Sequence, residues 1–226
     1  MSIRNLFLAA PFLLIPAAAA AEDGRVIGDS IGVGVSWAAK IPSTAKNSVA
    51  IYSGQIMEQL RQAKRGETVF MSLGTNDAVG GALDVKAKVA AILAEADKLG
   101  VKLVWIGPPC VRKSWEEYSR KLDGILADEL SGTSATYVSM QDPEFCEARL
   151  HAPEGVHFTM AGYTRMWQKA AAAAKFSTVV ASAEPARDEA SEPSRRSKRH
   201  HVYHHRRRRH IRRKASEETH TEAQPQ

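Results

Sequence analysis

After its first 21 residues the 226-residue chain has no long apolar run. Nothing there reaches the roughly 20 consecutive apolar residues that span a bilayer. Cysteine is scarce, with Cys110 and Cys146 alone, and no zinc-ligand spacing of Cys and His occurs between residues 22 and 183. No glycine loop is followed by a Walker lysine. Gly32-Val33-Gly34-Val35-Ser36-Trp37 places tryptophan where the third glycine of a dinucleotide fingerprint belongs. No internal repeat is present. These absences argue against a zinc module, a P-loop nucleotide site, a dinucleotide-binding turn and a solenoid.

What is present falls into three parts. Residues 1–21 carry Arg4, the apolar run Leu6–Ile15, Pro16 and a string of alanines that ends before Glu22. A basic start, a short apolar core and an A-x-A-like end read as a secretory signal peptide cleaved near Ala21. An uncleaved anchor is the competing reading, and the apolar core is short for it. The mature protein is therefore expected in the periplasm or secreted. Residues 184–226 are rich in Ala, Ser, Pro, Glu, Arg and His and hold 12 basic and 7 acidic side chains. Too little apolar surface is available there to offset chain entropy, so disorder is expected. Within it, Arg195–Lys214 interleaves arginines with His200, His201, His204, His205 and His210. Such a run binds polyanions by counterion release, and in an exported protein anionic envelope polymers or lipid headgroups are the expected partners. A merely solvated end is the competing reading. Residues 22–183 hold 18 basic and 18 acidic side chains, so the net charge of +6 belongs to the ends.

The middle part is long enough for one three-layer domain. Strand-like and helix-like segments alternate along it, which predicts a parallel sheet covered by helices. Strands are expected at Arg25–Ile27, Asn47–Tyr52, Thr68–Leu73, Lys102–Ile106 and Ala135–Val138. Helices are expected over Val33–Ala39, Gln55–Arg65, Asp84–Leu99, a segment opened by Ser114-Trp115-Glu116-Glu117 as a capping box, and a last one capped by Thr159. The fold class is α/β: a three-layer, flavodoxin-like, doubly wound parallel sheet of about five strands, in the order 2-1-3-4-5. Cys110 and Cys146 follow expected strand ends, and in an oxidising compartment they can pair for about 3–4 kcal/mol. Two separate buried thiols is the competing reading.

Four loops at strand ends carry chemistry-bearing residues: Gly28-Asp29-Ser30, Ser53-Gly54-Gln55, Gly74-Thr75-Asn76-Asp77 and Glu154-Gly155-Val156-His157. In a parallel sheet such loops share one edge, where open α/β folds place ligands. In these landmarks, correctly ordered, the chain resembles the SGNH (GDSL-type) hydrolases over roughly Arg25 to Trp167. The resemblance implies a nucleophile at Ser30 and a base at His157. It implies oxyanion donors in the backbone N–H groups of Ser30 and Gly54 and in the side-chain amide of Asn76. A serine hydroxyl is a poor nucleophile until a neighbouring imidazole takes its proton, and the tetrahedral oxyanion needs preorganised donors.

The acid departs from the family pattern. Glu154 stands where the family usually has aspartate, one methylene shorter. Triads with glutamate occur on other folds. Asp29 and Asp77 read as loop-bracing residues, and His151 lacks the acid-x-x-His register. Trp37 and Trp115 are candidates for a sugar-binding cleft or for the core. The expected function is an exported serine esterase that releases small acyl groups, such as acetyl, from an envelope glycan or similar ester, with no metal or organic cofactor. The alternative is an SGNH-fold envelope-binding protein of weak turnover, anchored by its basic tail.

Overall fold

A computed structural model describes residues 23–177 of the protein. The expected signal peptide (1–21) and basic tail (184–226) lie outside the described residues.

Four strands form the sheet: β1 (Gly24–Gly28), β2 (Thr68–Ser72), β3 (Lys102–Ile106) and β4 (Thr136–Val138). They pair in that order and all run parallel. The register row Gly28, Ser72, Ile106, Val138 brings the strand ends to one edge.

The expected second strand at 47–52 is a correction. That segment is a turn, and a shorter piece just before it pairs with β1. The Val26 N–H donates to Pro42 O (2.9 Å), Thr44 N–H to Val26 O (3.0 Å) and Lys46 N–H to Gly28 O (2.9 Å). Residues 42–46 thus occupy the outer position of a 2-1-3-4-5 order, as a fragment with three hydrogen bonds. Val49 and Ile51 are buried, which gives the alternation of a strand. Their backbone is satisfied by side chains instead: Asn76 Nδ2 donates to Val49 O, and Ile51 N–H donates to the Asp77 carboxylate. Side-chain partners of this kind compete with a sheet ladder.

Both sheet faces are apolar, as a doubly wound sheet requires. On one face Val26, Phe70, Val104 and Ile106 pack with residues of α1 (Ser30–Ala39) and α6 (Met160–Ala174), among them Ile31, Val35 and Trp167. On the other, Ile27, Met71, Leu103 and Trp105 meet α2 (Gly54–Leu60), α4 (Lys86–Leu99) and α5 (Glu116–Leu130). The short α3 (Thr75–Val79) follows β2. Ser114 does not cap α5, whose N-cap is Trp115 with no side-chain cap bond.

The end of β1 is fixed by two contacts. Gly28 has φ +114°, and a Cβ there would lie 1.8 Å from Ser72 O, so only glycine fits. Buried Gln59 clamps the same residue: its Oε1 accepts the Gly28 N–H at 2.6 Å, and its Nε2 donates to Gly28 O at 3.3 Å. The chain then turns into the first loop.

Candidate active site

Asp29 opens α1 as its N-cap. Its Oδ1 accepts from the backbone of Ile31 (3.0 Å) and Gly32 (3.2 Å) and from the Ser72 hydroxyl (3.0 Å), while its Oδ2 is buried with no hydrogen-bond partner. Burial pushes the Asp29 carboxyl up to about 6, against the lowering pull of these hydrogen bonds. Asp29 therefore braces the turn, and Ser30 stands as the first residue of the helix. An N–H at that position has no partner within the helix and faces the positive end of its dipole.

His157 reaches Ser30 from the loop before α6. The loop is held by backbone bonds: Ala152 N–H to His157 O (2.8 Å), Gly155 N–H to Ala152 O (2.9 Å) and Arg112 N–H to Gly155 O (2.7 Å). His157 Nε2 lies 2.9 Å from Ser30 Oγ. Its Nδ1 lies 2.5 Å from Glu154 Oε1, and the same oxygen accepts the His157 backbone N–H at 2.7 Å. The carboxylate assigns the proton to Nδ1 and leaves Nε2 to accept from the serine hydroxyl. Partial burial pulls the Glu154 carboxyl up, but hydrogen bonds from the His157 backbone and ring, its charge, and the Val156 N–H together hold it below the usual value.

Ser30, His157 and Asn76 line one open cleft of about 470 Å³. Asn47, Ser48 and Thr75 add polar lining, and Val79, Trp115 and Val156 apolar lining. None of these lining residues is Asp, Glu, Lys or Arg. Asn76 Nδ2 gives one hydrogen to Val49 O at 2.8 Å and keeps a second. Gly54 does not line this cleft. It starts α2 and lines a smaller apolar cavity of about 150 Å³ with Tyr52, Met57 and Lys88. Asp77 is spent on Ile51, to which both carboxylate oxygens bond at 2.9 and 3.1 Å.

The remaining candidates separate. Trp115 lines the cleft; Trp37 is largely exposed and stands edge-to-face with Tyr163, with ring centroids 6.4 Å apart. His151 is buried away from Ser30, between the carbonyls of Glu147 and Cys110, each 3.1 Å from a ring nitrogen. Cys110 and Cys146 form a disulfide, with Cα atoms 5.2 Å apart. Through Cys110 O and His151 the disulfide abuts the loop that carries Glu154 and His157. The roles of Asn47, Ser48, Val79 and Val156 as lining had no signal in the sequence, because the turn at 47–52 decides which residues face the cleft.

No protein-family model matches the chain, and no curated protein matches it. Solved structures do. A protein described as an SGNH hydrolase from Slackia heliotrinireducens matches at 14% identity with a TM-score of 0.55, covering 69% of this chain and 100% of that one. The psychrotrophic esterase EstA from Pseudoalteromonas sp. matches at 10% identity and TM-score 0.55, over 68% of this chain and 97% of that one. A GDSL-like lipase from Bacteroides thetaiotaomicron matches at 14% and 0.52, over 68% and 88%. The chain has the SGNH hydrolase fold.

The string Gly28-Asp29-Ser30-Ile31-Gly32 also spells the Gly-x-Ser-x-Gly of the α/β-hydrolase nucleophile elbow. The SGNH fold decides how that string is read here: a strand-end turn on β1 whose serine meets an acid-x-x-His loop before the last helix. Within this SGNH fold, three of the four landmark loops converge on one cleft, and Gly54 stands apart.

Proposed function

We propose that the protein is a serine esterase that acts on uncharged esters of small acyl groups. The observation that carries this reading is the continuous relay from Glu154 through His157 to Ser30, at 2.5 and 2.9 Å, opening into a cleft lined by no Asp, Glu, Lys or Arg. His157 Nε2 takes the hydroxyl proton as Ser30 Oγ attacks the ester carbonyl. The oxyanion is received by the Ser30 N–H and the second hydrogen of Asn76 Nδ2. Collapse expels the alkoxide, which takes its proton from His157. Water then cleaves the acyl-enzyme by the same steps in reverse order.

The absence of Asp, Glu, Lys and Arg from the lining disfavours a phosphate or carboxylate on the substrate near the scissile bond. A lining that mixes apolar Val79 and Trp115 with polar Asn47 and Thr75 suits an acylated sugar, with a ring face on the indole and hydroxyls on the amide. Export to the periplasm or medium is part of the proposal. Its supports are the signal-like residues 1–21 and the disulfide, which persists in oxidising compartments. The basic stretch Arg195–Lys214 is proposed to hold the enzyme on anionic envelope polymer.

The deciding experiment is hydrolysis of p-nitrophenyl acetate together with mass spectrometry after treatment with a serine-directed phosphonate. Turnover abolished in Ser30→Ala, by about ten-thousandfold, with label on Ser30, supports the reading. An active Ser30→Ala variant overturns it. Truncation after Ala183 should keep turnover and lose binding to anionic polymer at low salt; unchanged binding removes the anchor.

A further inference from the structure

We infer that the backbone N–H of Ser48, not that of Gly54, is the third oxyanion donor. This rests on the esterase reading above and deepens it. Ser48 lines the Ser30 cleft with Asn76 and His157, whereas Gly54 lines the other cavity. Two hydrogen bonds bracket its position. Lys46 N–H is tied to Gly28 O, two residues before the nucleophile. Val49 O is tied to Asn76 Nδ2. The chain between them therefore runs from the Gly28 carbonyl at the end of β1 to the side-chain amide of Asn76, with Ser48 on the cleft.

The backbone conformation agrees. Ser48 has φ +62°. The other non-glycine residues with positive φ, Lys40 and Lys175, are helix C-caps, where the left-handed form is ordinary. Ser48 holds it in a loop, at a cost that persists only where the surroundings impose it. Among the described residues no acceptor is bonded to the Ser48 N–H. Ser48 is an exposed turn residue on the cleft, so its N–H meets solvent in the resting site and is free to turn to a developing oxyanion. The glycine that the sequence pattern points to has been displaced by the turn at 47–52. Its function falls to a serine held in a glycine-like conformation.

Three variants test this on p-nitrophenyl acetate. Replacing Ser48 with its α-hydroxy acid converts one amide to an ester and deletes only that N–H. No folded hydrogen bond is lost, since neither the Ser48 N–H nor Asn47 O is engaged among the described residues. The kcat should fall about 100- to 1000-fold with KM little changed. Ser48→Gly keeps the N–H, removes the hydroxyl and suits the positive φ, so its kcat should fall at least about tenfold less than that of the ester variant. Gly54→Pro deletes the Gly54 N–H at the first position of a helix, where proline is well accommodated. Its predecessor Ser53 already has ψ 139°, and a Cβ at Gly54 meets nothing within 4 Å. Its kcat should stay within about twofold. A 100-fold loss in Gly54→Pro, or an unaffected ester variant, overturns the assignment while the wild type remains an esterase. A loss in Ser48→Gly as large as that of the ester variant assigns the hydroxyl and overturns it too. A wild type that neither turns over nor labels overturns the esterase reading itself, and this inference with it.

Discussion

One oxygen of Glu154, Oε1, accepts both N–H groups of His157, the backbone at 2.7 Å and the ring Nδ1 at 2.5 Å. The extra methylene of glutamate is taken up by this fold-back. The acid that orients the base thus lies in the same loop, three residues before it. Glu154→Ala should lower kcat/KM about 100-fold or more, because the imidazole loses both its tautomer and its orientation. Glu154→Asp should cost less than about tenfold. Equal, near-wild-type rates in both variants would mean that another group orients the ring. The carboxyl is held below its usual value by the hydrogen bonds and charge of His157, so it ionises more readily than a free glutamate. Its contribution to loop stability is present above the unfolded carboxylate range and is lost as pH falls through the lowered value.

Asn76 stands between the cleft and the turn at 47–52. One of its hydrogens fixes Val49 O, and the other faces the chemistry in the proposed mechanism. Asn76→Ala should therefore reduce kcat about 100-fold and also loosen the turn. Thermal stability measured beside kcat separates the two effects. A variant that loses thermal stability but keeps kcat would assign Asn76 to the turn alone.

The parts of the site that could be read in the sequence are those fixed by local chain direction. Ser30 and Asn76 follow strands whose apolar runs are continuous, and His157 carries its acid three residues before it. The turn at 47–52 could not be read, because its shape is set by Asn76 and Asp77, which lie 27 and 26 positions away from Val49 and Ile51. Long-range polar bonds leave no periodicity. Val49 and Ile51 show the same alternation in a braced turn as in a strand. The same turn carries Gly54 to the start of α2, on the smaller cavity. The clamp of Gln59 on Gly28 is likewise a side chain 31 positions away substituting for a strand partner.

Trp115 is the one tryptophan on the cleft. Its removal should raise KM for an acetylated sugar about tenfold and leave p-nitrophenyl acetate kcat within about threefold, since the small substrate needs no stacking surface. Equal effects on both substrates would point to a packing role.

The disulfide joins residues 36 positions apart. Removing it as Cys110→Ala with Cys146→Ala should cost about 3–4 kcal/mol in a denaturant titration, by restoring chain entropy to the unfolded state. The Cys110 carbonyl also meets buried His151, whose neighbour strand pairing reaches Phe158, the residue after His157. Loss of activity in the reduced protein at temperatures where the fold persists would show that the bridge steadies the base loop as well.

Asp29 gives a stability test that is independent of turnover. Complete burial raises its carboxyl to about 6 from an ordinary 3.8. Between those values the folded protein holds a proton that the unfolded chain releases. Stability therefore falls as pH rises through that window and levels off above it. A displacement of that size corresponds to about 3 kcal/mol. Asn at the same place keeps an acceptor for the helix N-terminus and carries no charge. The difference in unfolding free energy between the wild type and Asp29→Asn should move by about 2.4 kcal/mol against the wild type from pH 4 to pH 7, measured by urea titration. Other carboxylates cancel in that difference because both proteins carry them. Parallel curves would mean that Asp29 stays ionised across the range, held by partners beyond Ile31, Gly32 and Ser72.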